Sequence, residues 1–168
     1  MIRMCTVFAA AALLLSACAD SADPDASAAG RGGAGGLSGG GPGGAGGRFA
    51  PGSQEDLAQT AGDRIFFDTD QSVVTPDGRA ILDRQVQWLQ QNPRINIWVA
   101  GNCDERGTEE YNIALGQRRA NADRDYLASR GIASGRIQTI SYGKSRPVEP
   151  GSTQEAWARN RTAITSVR

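Results

Sequence analysis

From Gly30 to Gly47 most positions are glycine, and the segment ahead of that run is Ala, Ser and Asp. Such a stretch cannot bury enough apolar surface to offset the entropy of ordering it, so any core must be built from the residues behind it. Residues 18–58 are therefore predicted to be a flexible tether. At about 40 residues and roughly 5–6 Å times the square root of length, its mean span is on the order of 35 Å. Within the run, Gly30-Arg31-Gly32-Gly33-Ala34-Gly35 matches the spacing of a dinucleotide loop. No strand pattern precedes it and no helix pattern follows, so the match reflects composition.

What remains, residues 59–168, is about 110 residues, enough for one compact domain. Residues 64–67 carry a short strand pattern. A helix is predicted over 76–91, with Thr75 as N-cap, Pro76 in the first turn, an apolar stripe of Ile81, Leu82, Val86 and Leu89, and Asn92-Pro93 as the stop. Ile95, Ile97 and Val99 alternate as one face of a strand, with Trp98 on the other. A second helical region runs to Arg130 and is capped by Gly131, and residues 136–142 form a strand. Ser152 and Glu155 have capping-box spacing for a short helix, and residues 162–167 make the last strand. The expected fold class is α/β, an α+β sandwich in βαβαβαβ order with helices on a mixed four-stranded sheet.

The start of the chain speaks to location. Arg3, an apolar run from Val7 to Leu15 and small residues before a cysteine form an export signal over residues 1–17, too short to span a bilayer. Its ending, Leu15-Ser16-Ala17-Cys18, is that of a lipoprotein signal, which makes Cys18 the lipidated first residue of the exported chain. At about 0.8 kcal/mol per buried methylene, several acyl chains anchor a protein stably. Ala19 follows Cys18, where an aspartate would commonly mark retention in the inner membrane, so the outer membrane is expected, with the domain facing the periplasm.

Composition excludes several functions. Lys plus Arg and Asp plus Glu both number 18, which argues against nucleic acid as a bulk electrostatic partner. Histidine is absent, which removes Ser-His-Asp and Cys-His catalysis and the usual zinc sites. Of the three cysteines, Cys5 leaves with the signal and Cys18 is lipidated, leaving Cys103 without an intrachain partner. Neither an enzyme nor a cofactor is expected.

The densest chemistry lies in residues 101–127, GNCDERGTEEYNIALGQRRANADRDYL, where acids, amides and paired arginines surround a glycine-containing turn. Arginines there hold carboxylates and accept no proton, so the block suits recognition of a zwitterion better than bond breaking. Arg118 and Arg119 could also be ordinary solvated helix charges. Asp68 and Asp70 follow a strand end, where turn-forming roles compete with ligand contact. Tyr111 and Tyr126 read as core or rim.

Here the chain resembles the OmpA-like peptidoglycan-binding domain, and within it the lipoproteins of the Tol-Pal system. The resemblance covers residues 64–167 and rests on Ile65-Phe66-Phe67-Asp68-Thr69-Asp70, the 101–127 block, Ile140-Ser141-Tyr142-Gly143-Lys144 and Asn160-Arg161. It implies a protein that grips peptidoglycan stems at meso-diaminopimelate and tethers the outer membrane to the wall, with TolB and TolA as partners. It puts the chief ligand contacts on Asp104 and Arg119, with Asp68, Asp70, Thr108 and Arg161 around them and Asn112 and Leu115 shaping the site. A module that binds envelope partners without wall affinity, or an accessory domain of a hydrolase, is the alternative.

One unbroken helix from Thr108 to Arg119 would span about 16 Å, too far for Arg119 to share a small ligand with Asp104. A break near Gly116, with that glycine as N-cap, is therefore expected. Three departures from the family pattern stand out: Asn102 where histidine is common, Thr162 in place of a second arginine, and Asp123 at a usually apolar helix position. A buried aspartate needs a partner, and Arg119 lies four residues earlier on the same face. That pairing would either fix the arginine or compete with the ligand.

Overall fold

The computed structural model describes residues 49–168; the export signal, Cys18 and the glycine-rich run lie outside the described residues. The first element, α1 (Gln54–Thr60), falls inside the segment expected to be tether. Ser53 caps it by accepting from the Asp56 amide, and Leu57 is completely buried. Gln54 grips the far end of the chain, donating to Thr165 O at 3.3 Å and accepting from the Val167 amide at 2.8 Å. Asp56 accepts from the Trp88 indole at 2.9 Å. The folded region therefore begins near Ser53 and not at residue 59. The seven-residue helix has only one buried apolar side chain, so its amphipathic signal is too thin for periodicity to reveal.

Then follow β1 (Arg64–Phe66), α2 (Pro76–Gln91), β2 (Ile97–Asn102), α3 (Glu109–Ser129), a 3₁₀ turn (Ser134–Arg136), β3 (Ile137–Gly143), α4 (Gln154–Asn160) and β4 (Thr162–Val167). Apart from α1 and the 3₁₀ turn this is the expected order, and the mixed four-stranded sheet is present. The strands lie in the order β1-β4-β2-β3, with β2 parallel to β3 and both β1 and β2 antiparallel to β4.

The α2 helix has the predicted limits because its stop and start signals are local: the Thr75 hydroxyl accepts from the Gly78 amide at 3.1 Å, and Pro76 needs no partner for a missing N–H. Leu82 and Leu89 on its inner face are fully buried, each contributing roughly 2 kcal/mol. Gln85, also buried, joins layers by donating to Gly62 O and accepting from the Thr165 hydroxyl. Several boundaries shift by a residue or two, with β1 ending at Phe66 and β3 running from Ile137 to Gly143. β2 starts at Ile97 and runs to Asn102, and α4 is capped by Thr153, one residue later than Ser152.

α3 is continuous through Gly116, contrary to the expected break. That glycine serves another purpose. Helix and strand cross where Gly101 of β2 meets Gly116 of α3, and a Cβ on Gly101 would collide with the Gly116 carbonyl. Two glycines let the helix press against the strand; the requirement is room, not a turn.

Candidate functional site

The crossing of Gly101 and Gly116 explains why an unbroken helix still brings Arg119 to the strand end. Residues 103–108 turn back alongside the first turn of α3, where Cys103 Sγ donates to Asn112 O and Asn112 donates to Arg106 O, while Gly101 packs on Gly116 further along the helix. Arg119, one turn beyond the crossing, extends toward the helix N-terminus as long helical side chains do. Its Nη1 donates to Asn102 O at 2.9 Å and approaches Cys103 Sγ at 3.4 Å. Nε donates to Gln71 O at 2.9 Å and Nη2 to Asp68 O at 3.1 Å. The guanidinium thus ties the β1–α2 connection to the end of β2 from a wholly buried position, and burial lowers its pKa. One Nη2 hydrogen is left over from its five donors.

Asp104 sits above this clamp. Burial pushes its carboxyl up, but hydrogen bonds from the side chain and amide of Arg106, with the charges of Arg106 and Arg161, outweigh it and hold the carboxyl below the usual range. Arg106 grips it bidentately, Nε to Oδ1 at 3.0 Å and Nη2 to Oδ2 at 2.7 Å, and Arg161 Nη1 lies 3.5 Å from Oδ2. Arg161 is itself anchored through Nε to Phe67 O at 3.1 Å.

A cleft of about 240 Å³ opens here between Thr69, Asp70, Asp104, Arg106, Gly107 and Tyr111. That is below the roughly 300 Å³ at which pockets for drug-sized ligands begin, and it suits an amino-acid head group. Asp70 adopts φ 56°, a left-handed conformation that only a few non-glycine residues hold.

The other expected residues take defined places. Thr108 caps α3 by accepting from the Tyr111 amide at 3.2 Å. Asn112 is buried and donates to Arg106 O and Thr108 O at 2.7 and 3.0 Å, which fixes the turn that carries Arg106. Leu115 is buried and Arg118 exposed. Asp68 lines a separate cavity with Phe66, Asp77 and Arg159, and its carbonyl accepts from Arg119. Thr162 and Asp123 do not line the cleft; both are fully buried, and the Thr162 hydroxyl donates to Ile65 O at 2.6 Å. Asp123 has no salt bridge to Arg119, and neither of its oxygens has a hydrogen-bond partner among the described residues. Cys103 is buried, its thiol pushed up by burial.

Arg106 and Trp157 were not singled out from sequence. Arg106 stacks on the Trp157 ring at 4.4 Å, and Trp157 in turn donates to Glu105 Oε1 at 3.0 Å. The signal was present in the run Asp104-Glu105-Arg106, an acid and a base within reach across a turn closed by Gly107, at φ 86°. A larger groove, about 450 Å³, lies on the opposite face of the sheet between Trp98, Ile140, Tyr142 and Ile164. It is mainly apolar and holds none of the acids expected to meet a ligand. Among the described residues no group of His, Cys, Asp and Glu could hold a metal ion, and no helix is long and apolar enough to cross a membrane.

Residues 66–161 match the OmpA family. The chain is 53% identical over 119 residues to the peptidoglycan-associated lipoprotein of Rhizobium meliloti strain 1021, covering 71% of this chain and 68% of that protein. It is 51% identical over 119 residues to the protein of the same name from Brucella melitensis, covering 71% of each. The crystal structure of the peptidoglycan-associated lipoprotein from Burkholderia pseudomallei aligns with a TM-score of 0.61 at 39% identity, over 63% of this chain and 90% of that one. A shared fold, a family match across the whole cleft and identity above one half in curated relatives together establish that the chain belongs to the OmpA family, in its peptidoglycan-associated lipoprotein branch.

Proposed function

We propose that this protein binds peptidoglycan stem peptides without covalent chemistry and tethers the outer membrane, through lipid on Cys18, to the cell wall. The observation that carries this is a partly buried carboxylate, Asp104, kept ionised by its neighbours at the edge of an amino-acid-sized cleft with a buried guanidinium beneath it. Meso-diaminopimelate is the stem residue whose side chain ends in both an ammonium and a carboxylate. Asp104 takes the ammonium, with Asp70 across the cleft. Arg119 supplies positive potential and its remaining N–H from below, and Arg161 adds charge beside Asp104. Residues 18–52, ahead of α1, give the domain its reach from the membrane. The names of the curated relatives support the peptidoglycan assignment.

The same reading places the protein in the Tol-Pal system, with TolB meeting an overlapping surface and TolA as a further partner, during envelope constriction at division. The direct test is cosedimentation of the chain with purified sacculi. The parent is expected to pellet with sacculi and Asp104→Ala to remain in solution while still folded. A parent that stays in the supernatant would refute wall binding, and retained TolB binding in that case would support a partner-binding module instead.

A further inference from the structure

Asp104 already has a cation in place. Arg106 donates to both of its oxygens from the side chain, and its own amide donates to Oδ1 at 3.2 Å. An incoming ammonium must share that carboxylate or displace one of the arginines around it. The three differ in freedom. Arg119 is wholly buried and bonded to three carbonyls, and the Arg161 side chain is 14% exposed with its Nε bonded to Phe67 O. Arg106 has 40% of its side chain exposed, and its guanidinium contacts only Asp104 and the face of Trp157. It is the one that can leave, and the Trp157 ring, held by Glu105, keeps a cation–π contact for it when it does.

We infer that Arg106 is a specificity-determining residue that exchanges partners: it releases Asp104 to the ligand's ammonium and takes the ligand's carboxylate in return. This rests on the stem-peptide reading above and deepens it. Before binding Asp104 pairs with Arg106 and, at 3.5 Å, with Arg161; afterwards it keeps Arg161 and holds the ammonium while Arg106 pairs with the carboxylate, one ion pair more. A ligand carrying only an ammonium strands Arg106 as an unpaired cation beside Arg161. A ligand carrying only a carboxylate gives Asp104 nothing in exchange. The guanidinium fork suits the task because it meets either carboxylate bidentately, which a lysine ammonium cannot do. The site therefore selects a zwitterionic side chain and discriminates against a stem whose third residue is lysine, which offers the ammonium alone.

The test measures dissociation constants of the full chain for two stem tripeptides that differ only at the third residue, meso-diaminopimelate or lysine, with sacculi binding measured in parallel. The parent prefers the diaminopimelate peptide by about tenfold or more, one charge-assisted contact's worth. In Arg106→Gln the diaminopimelate peptide weakens and the lysine peptide tightens, so the ratio collapses toward one, while thermal stability holds because the residue lies on the surface. Arg106→Lys restores the charge without the fork and recovers only part of the ratio. Sacculus binding by the parent with an unchanged ratio in Arg106→Gln overturns the exchange and leaves the peptidoglycan reading standing. Failure of the parent to bind sacculi and both peptides overturns both.

Discussion

Arg119 and Asp123 lie one turn apart on the buried face of α3, both completely enclosed, and burial affects them in different ways. Arg119 hands its donors to the carbonyls of Asp68, Gln71 and Asn102, so the folded backbone replaces the water it lost. Asp123 finds no donor among the described residues, and burial raises its carboxyl to about 7. The same helix therefore carries a charge that organises the site and an acid that burial holds protonated below about pH 7. Being buried does not make two opposite charges a pair; the geometry of their side chains decides. Arg119 reaches toward the helix N-terminus and the strand end, away from the residue four places later.

The comparison is broken most severely by removing the arginine. Arg119→Met keeps the apolar stem but removes the buried hydrogen bonds to three carbonyls, of which Asp68 O keeps only the Gln71 amide, at an expected loss of about 4 kcal/mol in urea unfolding. A loss below about 1 kcal/mol would mean the clamp contributes little.

Removing the acid acts in the opposite sense. Asp123 has a folded pKa above its unfolded value, so between about pH 4 and 7 the folded state binds the extra proton. Its favourable contribution is complete below pH 4, declines as pH rises and is gone above about 7. Asp123→Asn removes this slope and should stabilise the protein by about 4 kcal/mol at pH 8 relative to pH 4, measured as the difference between the two stability–pH curves. Parallel curves would show that Asp123 is solvated or paired.

The smallest expected effect comes from Gly101→Ala, which sets a methyl against the Gly116 carbonyl and lifts α3 from β2. About 2 kcal/mol of destabilisation is expected from such overpacking, with weaker sacculus binding because Arg119 is drawn off Asn102 O.

Local signals in the sequence were enough for α2 and its Thr75 cap, the glycine stop of α3 at Gly131 and the alternation of Ile97 and Val99. Each depends on residues within a turn or two of one another. Gly116 shows where such signals end. A glycine inside a helix pattern reads as a breaker, and its actual partner, Gly101, is identified only when helix and strand are docked. For the same reason Arg119 looked like a ligand contact reached by a broken helix, whereas it arrives through a continuous one and is enclosed beneath the cleft. The Arg106 latch depends on Trp157, which is 51 positions away in the chain and adjacent in space.

On the proposed function, one small cleft, and not the larger apolar groove on the opposite sheet face, receives the wall peptide. Solution NMR of the protein titrated with the tripeptide L-alanyl-γ-D-glutamyl-meso-diaminopimelate tests it directly. Saturable shifts are expected at the amides of Asp70, Asp104 and Gly107 and at the Nε–H of Arg119, with Trp98 and Tyr142 unmoved. Shifts confined to Trp98, Tyr142 and their neighbours, or none at any concentration, would contradict it.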